Sequence, residues 1–160
     1  MEVPDRDPFP FADESFDLVC SRHPTVKNWG EIWRVLQSDG TYFSQQIGAG
    51  TNSELTAFLM GPQLTSGDPR MDHDQRMDVA KSRARAAGLE VVDAREESLP
   101  VIFFDIGAVV YFLRKVIWTV PDFSVEKYRD RLNILYERIG NEGRFVSHSQ
   151  RFLFEARKPA

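Results

Sequence analysis

The residues best placed to do chemistry follow a short apolar stretch near the beginning of the sequence. Phe16–Ser21 reads FDLVCS, a nearly continuous apolar run that is typical of a strand covered on both faces. Ligands of open α/β sheets bind outside the carboxyl ends of the strands, so Ser21, Arg22 and His23 are predicted to line a crevice. His23 has two interpretations, a general base that titrates near neutral pH or a loop histidine bonded to backbone.

Two further sets of polar residues each have a functional and a structural interpretation. Gln45 and Gln46 lie near the end of a predicted second strand, where alternation sends only one of them to the crevice; the alternative is a polar pair at a sheet edge. Asp72, His73 and Asp74 offer metal-ligand types, but no second ligand set has a recognisable spacing, and a charged helix start explains them. We therefore predict no metal site. No nucleophile elbow, phosphate-binding glycine loop or paired-cysteine motif indicates another class of enzyme.

A predicted strand, helix and strand position these groups. In Asn28–Gln37 apolar residues recur at i, i+3, i+4 and i+7, which predicts an amphipathic helix with one stripe against a sheet. Asn28 can cap this helix, with Glu31 as the returning partner of a capping box. Asp39-Gly40 provides turn chemistry before a second strand, Thr41–Ile47. This order over so few residues predicts a right-handed parallel βαβ unit.

The same unit resembles the middle of class I S-adenosylmethionine-dependent methyltransferases. Their usual form is an acidic residue, then LPF-x-D-x-SFD, a helix and RVLKPGG; this chain has PFPFADESFDLV and RVLQSDG. FFDIGAVVYFLRKVIW and the C-terminal EARKP are also similar to bacterial members. The resemblance implies an α/β fold, the C-terminal part of a Rossmann-like sheet that is mostly parallel with an antiparallel last strand and helices on both faces. The motif residues in register are Pro10, Phe11, Asp13, Ser15, Phe16 and Asp17.

The resemblance also implies S-adenosylmethionine as the cofactor. Asp5 stands where the family has an acidic residue that approaches the adenine amino group, although a solvated terminal aspartate is the alternative. Pro10 and Phe11 belong to the shared motif, while Ser21 and Arg22 stand where the family's chain passes the methionine portion and meets the substrate. The resemblance thus implies cofactor-binding roles for Asp5, Pro10, Phe11, Ser21 and Arg22, and we add His23 as the catalytic candidate.

The family's glycine-rich cofactor loop does not occur in this sequence. Gly48-Ala49-Gly50 is the only G-x-G; it follows the wrong strand and lacks a third glycine, so we interpret it as a loop. The chain is therefore predicted to be a single partial domain, with a central βαβ unit in 1–51 and C-terminal helices and strands on the substrate side in 52–160. It is either a fragment of a longer protein or a natural half that needs a partner.

Beyond the βαβ unit, periodicity predicts further helices and strands. In the resembled family the last strand lies between the two preceding ones, which gives the order first, second, fourth, third. Ile106–Trp118 is apolar around most of its circumference, so it is either buried or caps an apolar substrate. The predicted helices are a short one around Leu55–Leu59, then Asp72–Ala87, Ile106–Trp118 and Ser124–Ile139; the predicted strands are Leu89–Asp93, Leu99–Phe104 (or an extended loop) and Arg144–Arg157.

Composition restricts the partners. A formal net charge of -4 argues against nucleic acid, and no apolar run is long enough to span a bilayer. One cysteine, Cys20, and no signal peptide favour the cytoplasm. The predicted function is methyl transfer to a small-molecule acceptor. The alternative is a non-catalytic module that acts through partner binding or through a homodimer at the strand edge Phe16–Ser21, which would otherwise be unpaired.

Overall fold

The computed structural model describes residues 8–24, 27–61 and 76–160. Within these ranges helices and strands alternate in an α/β arrangement, as the sequence predicts. The elements are β1 (Phe16–Arg22), α1 (Trp29–Val35), β2 (Leu36–Ile47), α2 (Ser53–Met60), α3 (Met77–Ala86), β3 (Glu90–Phe103), α4 (Ile106–Lys115), α5 (Arg129–Glu142) and β4 (Phe145–Arg157).

The strands form one sheet in the order β1-β2-β4-β3. This order, with the last strand inserted, confirms the prediction. β1 pairs with β2 in parallel, and β2 pairs with β4 antiparallel. The sheet is therefore mixed, and the prediction of a mostly parallel sheet is wrong, because β4 separates β2 from β3 and brings antiparallel pairing into the middle of the sheet.

The turn between α1 and β2 differs from the predicted one. α1 ends at Val35, and β2 begins directly with Leu36, so Asp39-Gly40 lies inside the strand. The register with β1 is irregular there, since Phe16 pairs with Leu36 and Leu18 pairs with Thr41. A Cβ on Gly40 would lie 2.8 Å from the Gln37 oxygen, so glycine is needed where these backbones approach.

The capping of α1 is confirmed only in part. The Asn28 side chain accepts a hydrogen bond from the Glu31 N–H at 3.3 Å, as predicted. The Glu31 carboxylate does not return to Asn28 but accepts a hydrogen bond from the Phe9 N–H at 2.7 Å. The capping box is wrong because a residue 22 positions earlier competes for the carboxylate.

Two compact units form along the chain. The first comprises Met1–Ala49, Arg70–Glu97 and Gln150–Ala160, and the second comprises Gly50–Pro69 and Ser98–Ser149. The predicted assignment of 52–160 to the substrate side stays a prediction.

The core of the first unit lies on one face of its sheet. Tyr42, Ser44 and Gln46 of β2 pair with alternate residues of β4, and all of these side chains are buried. α1 and α3 pack into the same apolar cluster, α3 through the small residues Ala80 and Ala84. The cluster consists of Trp29, Ile32, Leu36, Tyr42, Ala80, Ala84, Leu89, Phe152, Phe154 and Ala156.

The opposite face of this unit carries exposed apolar side chains. Leu18 of β1 is 51% exposed and Phe43 of β2 is 38% exposed, and Cys20 is exposed as well. The prediction that β1 is covered on both faces is therefore wrong. Both described helices of the unit pack on the other face, so helices on both faces are not found in the described part of this unit either.

Lys158 joins the end of the chain to the βαβ unit. Its buried ammonium lies 4.0 Å from the centroid of the Trp33 ring, a cation–π contact. The same Nζ donates to the Leu36 carbonyl at 2.8 Å and to Glu14 Oε1 at 3.1 Å. The C-terminal residues therefore hold the start of β2 and the turn before β1 together.

The second unit has its own apolar core. Leu55 and Leu59 of α2 pack with residues of α4, α5 and β4, including Leu113, Leu135 and Phe145. α4 ends at Lys115, and Trp118 is exposed, so the predicted apolar helix through Trp118 is too long. α5 passes through the predicted stop at Gly140 and ends before Gly143, whose φ of 76° forms the left-handed C-cap.

Candidate functional site

Arg34 connects the two halves of the sequence motif. Its Nε and Nη2 donate to the two Glu31 carboxylate oxygens at 2.8 and 2.7 Å. Its Nη1 donates to Asp13 Oδ1 at 2.6 Å and to the Phe11 carbonyl at 2.9 Å, and Nη2 reaches the Phe9 carbonyl at 3.1 Å. The hydrogen bonds from Arg34, and then from the Phe9 N–H, lower the pKa of Glu31 to about 2. We call this set the Arg34 clamp.

The Arg34 clamp holds the loop that carries two predicted cofactor residues. Phe11 is partly buried, and its ring packs edge-on against Phe16 with centroids 4.9 Å apart. Pro10 is exposed beside it. A loop fixed by a planar guanidinium presents a defined backbone shape to a ligand. Cofactor binding by Pro10 and Phe11 stays a prediction, and Asp5 lies outside the described residues.

Ser21 and Arg22 point to opposite faces of the sheet. Ser21 shares the helix-covered face with Tyr42, and their hydroxyl oxygens are hydrogen-bonded at 2.7 Å. Arg22 is exposed, as strand alternation requires for the neighbouring residue. The structure thus does not bring these two predicted cofactor residues to one surface, and their roles stay predictions.

His23 follows β1 in a left-handed conformation with φ of 53°. Its N–H donates to the Gln45 carbonyl at 2.9 Å, and its ring nitrogens lie 3.2 and 3.3 Å from Arg151 Nη1. Burial, then the positive charges of Arg151 and Arg22, lower the pKa of His23. The imidazole is therefore neutral at neutral pH, but the guanidinium opposes the protonation that a general base undergoes. Catalysis by His23 stays a prediction.

A buried polar row lies near the carboxyl end of β2; the sequence left open whether Gln45 or Gln46 points inward, and it missed Ser44. Gln46, rather than Gln45, lies on the face of Ser21 and Tyr42, and it is 2% exposed. Its Nε2 donates to Ser44 Oγ at 2.5 Å, while its Oε1 has no hydrogen-bond partner among the described residues. Tyr, Ser and Gln at every second position, 42, 44 and 46, are the sequence feature that indicates this row.

The buried row can accept hydrogen bonds from a ligand. An unpaired buried carbonyl oxygen costs about 1–3 kcal/mol, which a bound N–H donor recovers. The indole Nε1 of Trp29 is likewise buried without a described partner, and this ring lies 5.5 Å from that of Tyr42. The row formed by Ser21, Tyr42, Ser44 and Gln46 therefore contains one acceptor, Gln46 Oε1, without a partner among the described residues.

The described residues contain neither a metal-binding cluster nor a membrane-spanning helix. Within them no group of three or more His, Cys, Asp or Glu residues has the arrangement of a metal site. Asp72, His73 and Asp74 lie outside the described residues. In the described ranges no helix combines the length and apolarity that crossing a membrane requires.

Comparisons with known proteins give matches among solved structures alone. No family model matches this chain, and no curated protein matches it. A candidate methyltransferase from Bacillus halodurans is 17% identical with a TM-score of 0.56, and the match covers 95% of this chain and 68% of that one. The YcgJ protein of Bacillus subtilis is 17% identical with a TM-score of 0.55 and the same two coverages.

These likenesses establish the fold. This chain has a class I methyltransferase-like fold, which confirms the resemblance seen in the motif. It spans about two thirds of the length of each of the two bacterial proteins.

Proposed function

We propose that this chain forms the acceptor-side part of an S-adenosylmethionine-dependent methyltransferase that acts on a small molecule. The observation that carries the proposal is the sheet order β1-β2-β4-β3, in which antiparallel β4 lies next to β2. The motif shared with the methyltransferases leads directly into β1, the first strand of this order. The likeness in fold to methyltransferases supports methyl transfer as the general chemistry. The net charge of -4 favours a small acceptor over a nucleic acid.

The residues of the first unit fit the amino-acid end of the cofactor. When bound, S-adenosylmethionine supplies a methyl group on a positively charged sulfur. The Gln46 amide oxygen and the Ser21–Tyr42 hydroxyl pair can accept hydrogen bonds from its ammonium. The Arg34 clamp holds Pro10 and Phe11 before the amino end of β1, at the opposite end of this strand from Ser21. Methyl transfer needs mainly alignment of the reacting atoms, so the role of these residues is to bind and orient the cofactor.

The proposal predicts weak but localised binding of S-adenosylhomocysteine. The chain lacks the glycine-rich cradle of the resembled family, so we expect a Kd on the order of 1 mM, about −4 kcal/mol. In an NMR titration, shifts should appear at the amides of 21–23 and Gln46. Gln46→Leu should remove the binding, whereas Gln45→Leu, on the neighbouring position of the same strand, should retain it. Shifts that are absent or scattered over the second unit would sink the proposal.

A second function, association through the first unit, is favoured by its exposed apolar face. Leu18, Cys20 and Phe43 lie together on that face by register, and β1 is the terminal strand of the sheet. An unpaired edge beside an apolar face is a site where proteins associate. In this alternative the chain is a non-catalytic module that forms a homodimer.

Leu18→Lys should convert a dimer of this chain into a monomer. A buried ammonium at the interface would be costly, so we expect the dimer constant to weaken roughly 100-fold. Sedimentation velocity over a concentration series measures this. Val92→Lys is the matched control, because Val92 is 50% exposed and lies on β3, the edge strand on the opposite side of the sheet from β1. A wild-type chain that stays monomeric at every concentration excludes this alternative.

A further inference from the structure

The second unit contains a carboxylate–imidazole pair that the proposed cofactor site does not use. Glu54 lies in the first turn of α2, and His148 lies in β4. The start of α2 is held beside β4, because the Asn52 N–H donates to the His148 carbonyl at 2.7 Å. Glu54 Oε1 is 2.6 Å from His148 Nδ1.

The second oxygen of Glu54 is bound separately. Oε2 accepts from Ser147 Oγ at 3.0 Å and from the His148 backbone N–H at 3.1 Å. Burial raises the pKa of Glu54, but hydrogen bonds from its own backbone N–H, from His148 and from Ser147 outweigh that effect and lower the pKa to about 2. Glu54 is therefore an ionised carboxylate at neutral pH, and such a group only accepts hydrogen bonds.

The ionised Glu54 carboxylate determines which tautomer the neutral His148 side chain adopts. Since the carboxylate accepts, Nδ1 must donate, and the neutral imidazole then carries its lone pair on Nε2. The His148 side chain is 39% exposed. No hydrogen bond to Nε2 is found within residues 8–24, 27–61 and 76–160. A partly exposed imidazole whose Nδ1 donates to a carboxylate keeps Nε2 as an oriented hydrogen-bond acceptor.

The serine next to this pair is not a nucleophile. Ser147 is fully buried, and its hydroxyl donates to Glu54 rather than to the imidazole. The order His148, Glu54, Ser147 thus differs from a hydrolase triad, in which the serine hydroxyl bonds to the histidine. Nor does anchoring of α2 explain the imidazole, because Glu54 Oε2 and the Asn52 N–H already hold the helix to β4.

We propose that His148, positioned by Glu54, is a binding site for small molecules that carry a hydroxyl group. In the bound complex the ligand hydroxyl donates a hydrogen bond to the Nε2 lone pair, and no covalent bond breaks. This site lies within the second unit and does not depend on the proposed cofactor binding.

Chemical modification of the folded chain tests the site. Diethyl pyrocarbonate acylates free imidazole nitrogens, and peptide mass mapping separates the three histidines. We expect rapid modification of His148 at Nε2. Phenol should protect His148, whereas anisole, which replaces the hydroxyl proton with a methyl group, should not. Unreactive His148, or equal protection by phenol and anisole, would overturn the proposal.

Two variants separate positioning from anchoring. Glu54→Gln keeps the shape but removes the charge that orders Nδ1, so the modification rate of His148 should fall several-fold. Ser147→Ala removes only a bond to Oε2 and should leave that rate unchanged. His148→Gln removes the modified site, while His73→Gln should not affect phenol protection. If Glu54→Gln does not fold, the comparison of phenol with anisole on the wild-type chain decides alone.

Discussion

Replacing Phe154 with alanine is expected to lower the free energy of unfolding by about 3–5 kcal/mol. Phe154 is 0% exposed, and its ring lies 5.6 Å from that of Trp29 and 6.3 Å from that of Tyr42. Alanine would leave a cavity between α1 and the sheet that close-packed neighbours fill only in part. Urea unfolding followed by circular dichroism measures the loss.

The adjacent residue provides the matched control. Leu153 points to the opposite face of β4 and is only partly buried, so Leu153→Ala should cost much less than Phe154→Ala. Equal losses for the two variants would mean that the core of the first unit does not lie on one face. Because the cavity adjoins Tyr42, Phe154→Ala should also loosen the Ser21–Tyr42 hydrogen bond and the polar row.

Replacing Arg34 with methionine is expected to release the loop of residues 8–13. The methionine keeps the apolar stem but removes every hydrogen bond of the guanidinium to Phe9, Phe11 and Asp13. Hydrogen–deuterium exchange at the Phe9 and Phe11 amides should accelerate by roughly an order of magnitude or more, since local opening controls these rates. Binding of S-adenosylhomocysteine should weaken in parallel if Pro10 and Phe11 contact it.

The hydrogen bonds between Arg34 and Glu31 in the Arg34 clamp should also weaken at acidic pH. In the folded chain the pKa of Glu31 is about 2, against an ordinary value of 4.5. The contribution of the ionised Glu31 to folding stability is therefore complete above about pH 4.5 and is lost as the pH falls towards 2. This acid-dependent part should shrink in Arg34→Met. Arg138→Met is the control, because it removes a guanidinium that pairs with Glu142 at 2.9 Å and lies over the Phe145 ring, and neither residue belongs to the Arg34 clamp. Loop exchange that is unchanged in Arg34→Met would contradict the clamp.

Local pattern in the sequence predicted much of the first unit. The i, i+3, i+4, i+7 spacing placed α1, and Asn28 marked its cap. These features depend on residues a few positions apart, where backbone geometry alone decides which side chains meet. The motif resemblance added the insertion of β4, which periodicity does not indicate.

The candidate site was predicted less completely. The sequence placed Ser21, Arg22 and His23 at the end of β1, but it did not show that Ser21 and Arg22 point to opposite faces. Arg34 was visible in the shared motif, yet its partners in the motif loop, Phe9, Phe11 and Asp13, lie 21 to 25 positions earlier. The sheet is mixed because β4 is inserted next to β2. A local sequence pattern indicates the length and burial of a strand, but it does not indicate which strand will pair with it.

The sequence by itself determined the family of fold, the helix spacing and the strand order, because short-range periodicity and a motif carry that information. The tertiary structure decided which face of the sheet is covered, that Arg34 fastens the motif loop, and that Gln46 rather than Gln45 joins the buried row. It also brought Glu54 to His148 across 94 positions. These contacts depend on which strands become neighbours, and chain distance does not specify that.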